Sequence, residues 1–118
     1  MAMGTVTPQV AQRTTPQNIT YTALGADGQK FKNTGKEIVI ISRTANAVTD
    51  VTIHTNKTKD GVVLPDLVFA LAAGNVTRQF KFCGPFPTAR YNQTGGYLEV
   101  TSAEATDTVA VMQMTAVD

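Results

Sequence analysis

The sequence has 118 residues, the usual length of one domain, which leaves no room for a second independent core. Ten basic and nine acidic residues give a net charge of +1 without a basic stripe, so we expect no nucleic-acid partner. No stretch approaches the ~20 apolar residues that span a bilayer, so we expect no membrane association and an unexported protein.

The first 17 residues cannot bury an apolar face, because they combine Pro8 and Pro16 with repeated Thr and Gln and only scattered Val. Residues 1–17 are therefore predicted to form an arm, and residues 18–118 a single domain. The arm is either a disordered tail or a segment that becomes ordered on a neighbouring subunit. In the second case Val6, Pro8 and Val10 belong to an extended run that pairs with an exposed strand edge through main-chain hydrogen bonds.

From residue 18 onward, β-branched and aromatic residues come in short runs separated by Gly, Asn, Asp and Pro, which predicts strands joined by turns. Residues 37–42 are the best candidate for a central strand covered on both faces, since apolar residues occupy both alternations. No segment predicts a helix convincingly. Strands are predicted at 19–24, near Phe31, and at 37–42, 48–55, 67–71, 78–83, 97–101 and 108–115.

These seven or eight strands, with turn signals about every 8 to 12 residues, predict an all-β fold. A small sheet must bury one face against another layer, and no helix is long enough to provide that layer. We therefore expect a two-sheet antiparallel β-sandwich of the jelly-roll or immunoglobulin-like type.

Catalytic and metal-binding residue types are scarce, since the chain has one His and one Cys. His54 is interpreted as an ordinary residue of a half-exposed strand, and Cys83 as a small buried residue, because nothing places them together or lowers the thiol pKa. Asp50, Asp60 and Asp66 match no calcium-loop spacing. The sequence therefore predicts no catalytic residues, no metal site, no cofactor and no enzymatic activity.

The most distinctive segment is 84–92, in which Pro85 and Pro87 flank Phe86 and are followed by Tyr91. Prolines fix φ and cannot donate to a sheet, so this segment interrupts the strand pattern. One interpretation is a rigid crossover in which Phe86 closes the end of the sandwich. The other is a stiff surface loop that contacts a partner.

Several motifs occur together in one order: Tyr-Thr-Ala-x-x-x-Asp-Gly-x-x-Phe-x-Asn-x-Gly at 21–35, Ile-Val-Ile-Ile at 38–41, Ala-Gly-Asn at 73–75, Gly-Pro-Phe-Pro at 84–87 and Tyr-Asn at 91–92. In this the chain resembles small proteins encoded among the head genes of tailed bacteriophages and prophages, over roughly residues 18–115. The chain departs from that pattern in a longer polar insertion at 55–65 and in its Thr/Gln-rich arm.

The resemblance implies a virion structural protein, a capsid decoration or cement protein that binds the major capsid protein on the outer surface of the head. Identical copies on a symmetric lattice favour a closed homo-oligomer, for which we expect a homotrimer, with a dimer as the alternative. The competing hypothesis is a carbohydrate- or receptor-binding sandwich of a phage virion. In that case Tyr21, Tyr91 and Tyr97 would form an exposed stacking platform.

Overall fold

The computed structural model describes residues 3–10, 18–55, 58–59, 62–63, 65–93 and 95–113. Predicted features at 11–17, at Asp60 and at 114–115 lie outside these residues. The described residues form twelve strands and one four-residue helix. Their bounds are Gly4–Thr5 (β1), Gln9–Val10 (β2), Thr22–Ala23 (β3), Gln29–Lys32 (β4), Glu37–Arg43 (β5), Thr49–Ile53 (β6), Thr58–Lys59 (β7), Val62–Val63 (β8), Leu67–Leu71 (β9), Gln79–Cys83 (β10), Thr88–Tyr91 (α1), Tyr97–Ser102 (β11) and Thr108–Gln113 (β12).

The strands form two five-stranded sheets and one separate hairpin. The first sheet has the order β1-β4-β11-β6-β9, and the second has the order β10-β5-β12-β2, with β3 also paired to β12. Strands β7 and β8 pair only with each other among the described residues. The all-β sandwich is thus confirmed, and β5 is confirmed as an inner strand, hydrogen-bonded to β10 on one side and β12 on the other.

The prediction that the sheets are purely antiparallel is wrong at two places. Strand β1 pairs with β4, and β2 pairs with β12, in parallel orientation. Short turns between neighbouring strands force antiparallel pairing, but these partners are distant in the sequence and their long connections impose no direction. Both sheets are therefore mixed.

The core lies between the two sheets and follows from the alternation of strand residues. In β5, Val39 and Ile41 are buried, and in β6 the same holds for Val51 and Ile53, as the two-residue period predicts. Burying a side chain of this size contributes roughly 1.5–3 kcal/mol. The full buried apolar cluster is Val6, Leu24, Phe31, Val39, Ile41, Val51, Ile53, Leu71, Phe86, Leu98, Val100, Val109 and Val111.

A buried ion pair crosses this core. Arg43, at the end of β5, and Asp107, immediately before β12, are both fully buried. The guanidinium donates from Nε to Asp107 Oδ1 at 2.8 Å and from Nη2 to Oδ2 at 2.6 Å. Nη1 donates to the backbone carbonyls of Ala47, Thr49 and Leu71, so a charge on the second sheet is bonded to β6 and β9 of the first.

Removing one member of this pair is expected to be strongly destabilising, because the other is left as an uncompensated buried charge. We expect Arg43→Met to lower the free energy of unfolding by about 3–5 kcal/mol in urea titrations. The double variant Arg43→Met/Asp107→Leu should lose less than the sum of the two single variants. Its free energy of unfolding should remain below that of wild type, because the carbonyls of Ala47, Thr49 and Leu71 lose their hydrogen-bond donor.

The matched control is Lys36→Gln, an exposed cation at the other end of β5, which should change stability by no more than about 0.5 kcal/mol. Equal stability of Arg43→Met and wild type would contradict a structural role for the pair.

Candidate interaction surface

The outward-facing surfaces of the two sheets differ in chemistry. The first sheet presents mainly polar and charged residues outward: Thr5, Lys30, Lys32, Asp50, Thr52, Tyr97, Glu99 and Thr101, with Val68 and Ala70 on its edge strand. The second sheet presents an apolar face, defined here as Ile38, Ile40, Phe80, Phe82 and Met112, with the fully buried Ala110 on the same alternation between them. An antiparallel sheet usually has one solvated face and one core face, so the first sheet follows the rule and the second does not.

Strand register brings the members of the apolar face together. Ala110 and Phe82 lie on either side of Ile40, and Met112 lies beside Ile38. All of them occupy the alternation opposite to the core residues of the same strands. The sequence analysis expected both faces of β5 to be covered, but Ile38 and Ile40 are only half-buried.

The phenylalanines of β10 are the most exposed part of the apolar face. The exposed fraction is 54% for Phe80 and 77% for Phe82. Strand β10 is an edge strand, so these rings have a neighbour strand on one side only. Large exposed apolar residues that are contiguous, rather than scattered singly, mark contact surfaces.

A small aromatic cluster closes one end of the apolar face. The Tyr21 and Phe80 ring centroids are 6.5 Å apart, and the Arg78 guanidinium lies 5.5 Å from the first and 5.4 Å from the second. Arg78 Nε also donates to Ser42 Oγ, and Ser42 is the residue opposite Phe80 in the ladder. These contacts fix Arg78 on the same surface as the apolar face.

The apolar face continues into a groove at the open side of the sandwich, where the edge strands β9 and β10 approach one another. A cavity of about 240 Å³ is lined there by Leu67, Phe69, Lys81, Phe82 and Cys83. Lys81 Nζ crosses between the strands and donates to the carbonyl of Ala70 at 2.9 Å. Phe82 belongs to both surfaces, so the groove and the apolar face are continuous.

The opposite side of the sandwich is closed by the N-terminal residues. Residues 3–10 were predicted to belong to a flexible or partner-ordered arm, but β1 lies on the edge of the first sheet and β2 on the edge of the second. Val6, between them, is 8% exposed and donates its N–H to the Lys30 carbonyl at 2.8 Å. These residues pair through the main chain with strands of their own chain.

The predicted contact residues of this arm are thus divided. Val6 lies in the core and Pro8 is half-buried, whereas Val10 is 40% exposed at the edge of the second sheet. Only Val10 of the three presents a substantial apolar surface to solvent.

Segment 84–92 is a rigid crossover, with Phe86 inside. Phe86 is 3% exposed and its ring packs edge-on against Tyr91 at 5.1 Å, while Pro85 and Pro87 are exposed. The prediction that Phe86 closes the sandwich is confirmed, and its inclusion among partner-binding residues is wrong. An apolar ring of this size gains more from the adjacent core than from solvent.

Two asparagines hold this crossover in place. The buried Asn33 side chain donates to the Phe86 carbonyl at 3.2 Å and to Asn92 Oδ1 at 2.7 Å. Asn92 Nδ2 returns a bond to the Asn33 carbonyl at 3.0 Å. Gly84 (φ +123°) lies so close to the Glu37 carbonyl that a Cβ would approach it to 2.8 Å. Pro85 and Pro87 are therefore held at the rim of a fixed structure.

His54 has two partners that the sequence analysis did not identify. Its Nδ1 lies 3.2 Å from Asp66 Oδ2 and its Nε2 lies 2.8 Å from Thr101 Oγ1. A hydroxyl, an imidazole and a carboxylate in this order resemble a nucleophile with its base and orienting group. However, Thr101 lies inside β11 between two neighbouring strands, without the sharp turn that exposes a nucleophile.

This hydrogen-bonded chain has a clear structural effect. Asp66 also accepts hydrogen bonds from the backbone N–H and the hydroxyl of Thr55, at 2.8 and 3.2 Å. The segment that leaves β6 and the one that enters β9 are thereby bonded together. Between these two points lies the polar insertion that carries β7 and β8.

Other site chemistry is limited. The described residues contain no group of three or more His, Cys, Asp or Glu placed to hold a metal ion, and no helix among them is long and apolar enough to cross a membrane. The three tyrosines of the stacking hypothesis lie apart: Tyr21 immediately before β3 and beside Phe80 of the second sheet, Tyr91 in α1, and Tyr97 on the first sheet beneath Lys30 and Lys32. They do not form one platform.

Comparison with protein-family models, with curated proteins and with solved structures finds no match to this chain. The surface chemistry of the chain itself therefore carries the functional argument.

The Thr55 backbone N–H, followed by the charge of His54, holds the pKa of Asp66 below its usual 3.8. A carboxyl whose folded pKa is depressed stabilises the native state above its unfolded pKa, and this contribution is lost as pH falls through the folded pKa. We therefore expect wild-type stability in urea to decline below about pH 4, and Asp66→Asn to flatten that decline. The same decline of stability at low pH in the wild type and in Asp66→Asn would contradict this assignment.

Burial raises the pKa of the Cys83 thiol to about 11, so the reactive thiolate is scarce at neutral pH. We expect the native protein to react with a disulfide reagent at about pH 8 roughly ten to a hundred times more slowly than the protein unfolded in urea. The sequence contains one cysteine, so the signal has a single source, and Cys83→Ala provides the blank. Equal rates would show that the groove exposes the thiol.

Proposed function

We propose that this chain is a virion structural protein, a capsid decoration or cement protein of a tailed bacteriophage or prophage, that binds the outer surface of the head. The observation that carries the proposal is the apolar face of the second sheet, with Phe80 and Phe82 more than half exposed. The resemblance of its motifs to phage head proteins supplies the biological setting. The proposed partners are the major capsid protein and further copies of this chain.

The exposed rings explain how such a contact would be stabilised. Full burial of one phenylalanine contributes roughly 1.5–3 kcal/mol, and Phe80 and Phe82 lie next to the half-buried aliphatic residues Ile38, Ile40 and Met112. Aromatic residues and methionine are enriched at the centres of protein interfaces, where charged residues are depleted. The apolar face has this composition.

Repetition would add to the strength of each contact. Copies of a capsid subunit are arranged symmetrically, which favours a closed homo-oligomer of the bound protein, for which we propose a trimer. When one copy has bound, its linked neighbours bind at a high effective concentration. Modest single contacts would then give firm attachment to the shell.

The proposal is tested with heads prepared from the phage or prophage that carries this gene, after deletion of the gene. We expect the purified protein to form a discrete oligomer by light scattering and to sediment with these heads at a saturable stoichiometry. Phe82→Ser should weaken binding at least about tenfold, since a buried ring of this kind contributes more than 1.4 kcal/mol. Because Phe82 is 77% exposed, the variant should fold normally.

Val68→Ser is the matched control, since Val68 is an exposed apolar residue on the outer face of the first sheet. It should bind the heads as the wild type does. A monomer that stays in the supernatant would overturn the proposed function, and equal loss in both variants would overturn the assignment of the apolar face.

A further inference from the structure

Among the described residues, the charged side chains that border the apolar face are cations. Arg78 immediately precedes β10, and its guanidinium lies over the Phe80 ring. Lys36 immediately precedes β5 and lies on the same face of that strand as Ile38. Lys81 has the opposite alternation to the two exposed phenylalanines and is bonded to the Ala70 carbonyl in the groove, so it is not one of these border cations. Both Arg78 and Lys36 are exposed.

The acids on the same strands are withdrawn from the surface. Strands β5, β10 and β12, together with the residue immediately before each of them, contain two acidic residues, Glu37 and Asp107. Both are buried. Glu37 accepts hydrogen bonds from the Thr34 backbone N–H and hydroxyl, and Asp107 is paired with Arg43. Because both carboxylates are bonded to groups inside the fold, they do not neutralise the cations at the border of the apolar face.

Arg78 is held in an orientation suited to a planar anion. Its guanidinium lies over the Tyr21 and Phe80 rings, and its Nε bonds to Ser42. Within the part of the chain that the structure describes, its Nη1 and Nη2 atoms have no hydrogen-bond acceptor. A stacked guanidinium with a free fork binds carboxylates in a bidentate manner and loses little side-chain entropy in doing so.

We infer that the apolar face binds a protein surface of complementary design, an apolar ridge bordered by carboxylates, with one carboxylate placed against Arg78. This inference rests on the proposed function and specifies the chemistry of the partner at that surface. Apolar burial supplies the affinity, while the cations Arg78 and Lys36 accelerate association and set the orientation.

A nucleic acid is the other polyanion to consider, because exposed aromatic rings and cations also bind single strands. Such sites need cations that follow the phosphate backbone along the whole path of the strand. The centre of the apolar face is aliphatic instead, with Ile38, Ile40 and Met112 between cations that lie at its two ends. This arrangement matches a protein interface with an apolar core and a charged rim.

The test measures binding of the wild type and three variants to heads that lack this protein, at about 0.05 M and about 0.5 M NaCl, which screens exposed charges strongly. Arg78→Glu should weaken binding about tenfold or more at low salt, mainly through a slower association rate. The affinity of Arg78→Lys should lie between those of Arg78→Glu and wild type, because lysine keeps the charge but lacks the planar pair of guanidinium donors. Lys30→Glu, a charge reversal on the first sheet, is the control and should bind like wild type.

The result expected is a wild-type affinity that falls with salt and an Arg78→Glu affinity that falls much less. If wild type binds the heads but neither Arg78→Glu nor salt changes its affinity, the inference is overturned while the proposed function stands. If wild type does not bind the heads, both fail. Tight binding of wild type to an oligothymidine that competes with the heads, and its loss in Arg78→Glu, would overturn the protein partner in favour of a nucleic acid.

Discussion

The buried guanidinium of Arg43 is the interaction on which the arrangement of the two sheets depends. A buried ion pair adds little net stability compared with a well-packed apolar pair, but it accepts few alternative geometries. Here one charge must reach Asp107 and the carbonyls of Thr49 and Leu71 together. Because Arg43 is also opposite Gln79 in the ladder, the same residue sets where β10 lies relative to β9. The position of the groove follows from that placement.

The two sides of the sandwich are treated differently. Strands β1 and β2 close one side, with Val6 buried beneath them. At the other side, β9 and β10 remain edge strands, and Lys81 bonds across the gap to the Ala70 carbonyl. An inward-directed lysine on an edge strand is a recognised means of preventing edge-to-edge pairing. Contact through the face of the second sheet is thereby favoured over continuation of its edge.

Alternation of residue types predicted most of the strands, because burial in a two-layer fold has a period of two residues. The pattern at Ile38 and Ile40 also contained a signal for the apolar face, since both alternations of one strand were apolar and no helix was predicted to cover them. Sequence could not reveal the Arg43–Asp107 pair, whose members are separated by 64 residues. The same limit applies to β1 and β2, where only main-chain atoms make the pairing.

The apolar face is the surface that a third layer, supplied by the proposed partner, would cover. In a free-standing sandwich, the residue beside Ile40 on the edge strand β10 would be polar, since nothing in the core requires Phe82 at that position. The first sheet shows that this chain can supply such a surface, with Thr52 and Thr101 at equivalent positions on β6 and β11. Keeping the face apolar while moving its charges to the border separates the two tasks of an interface. In the proposed interface, burial at the centre would provide affinity, and the position of the cations would decide which partner and which orientation are accepted.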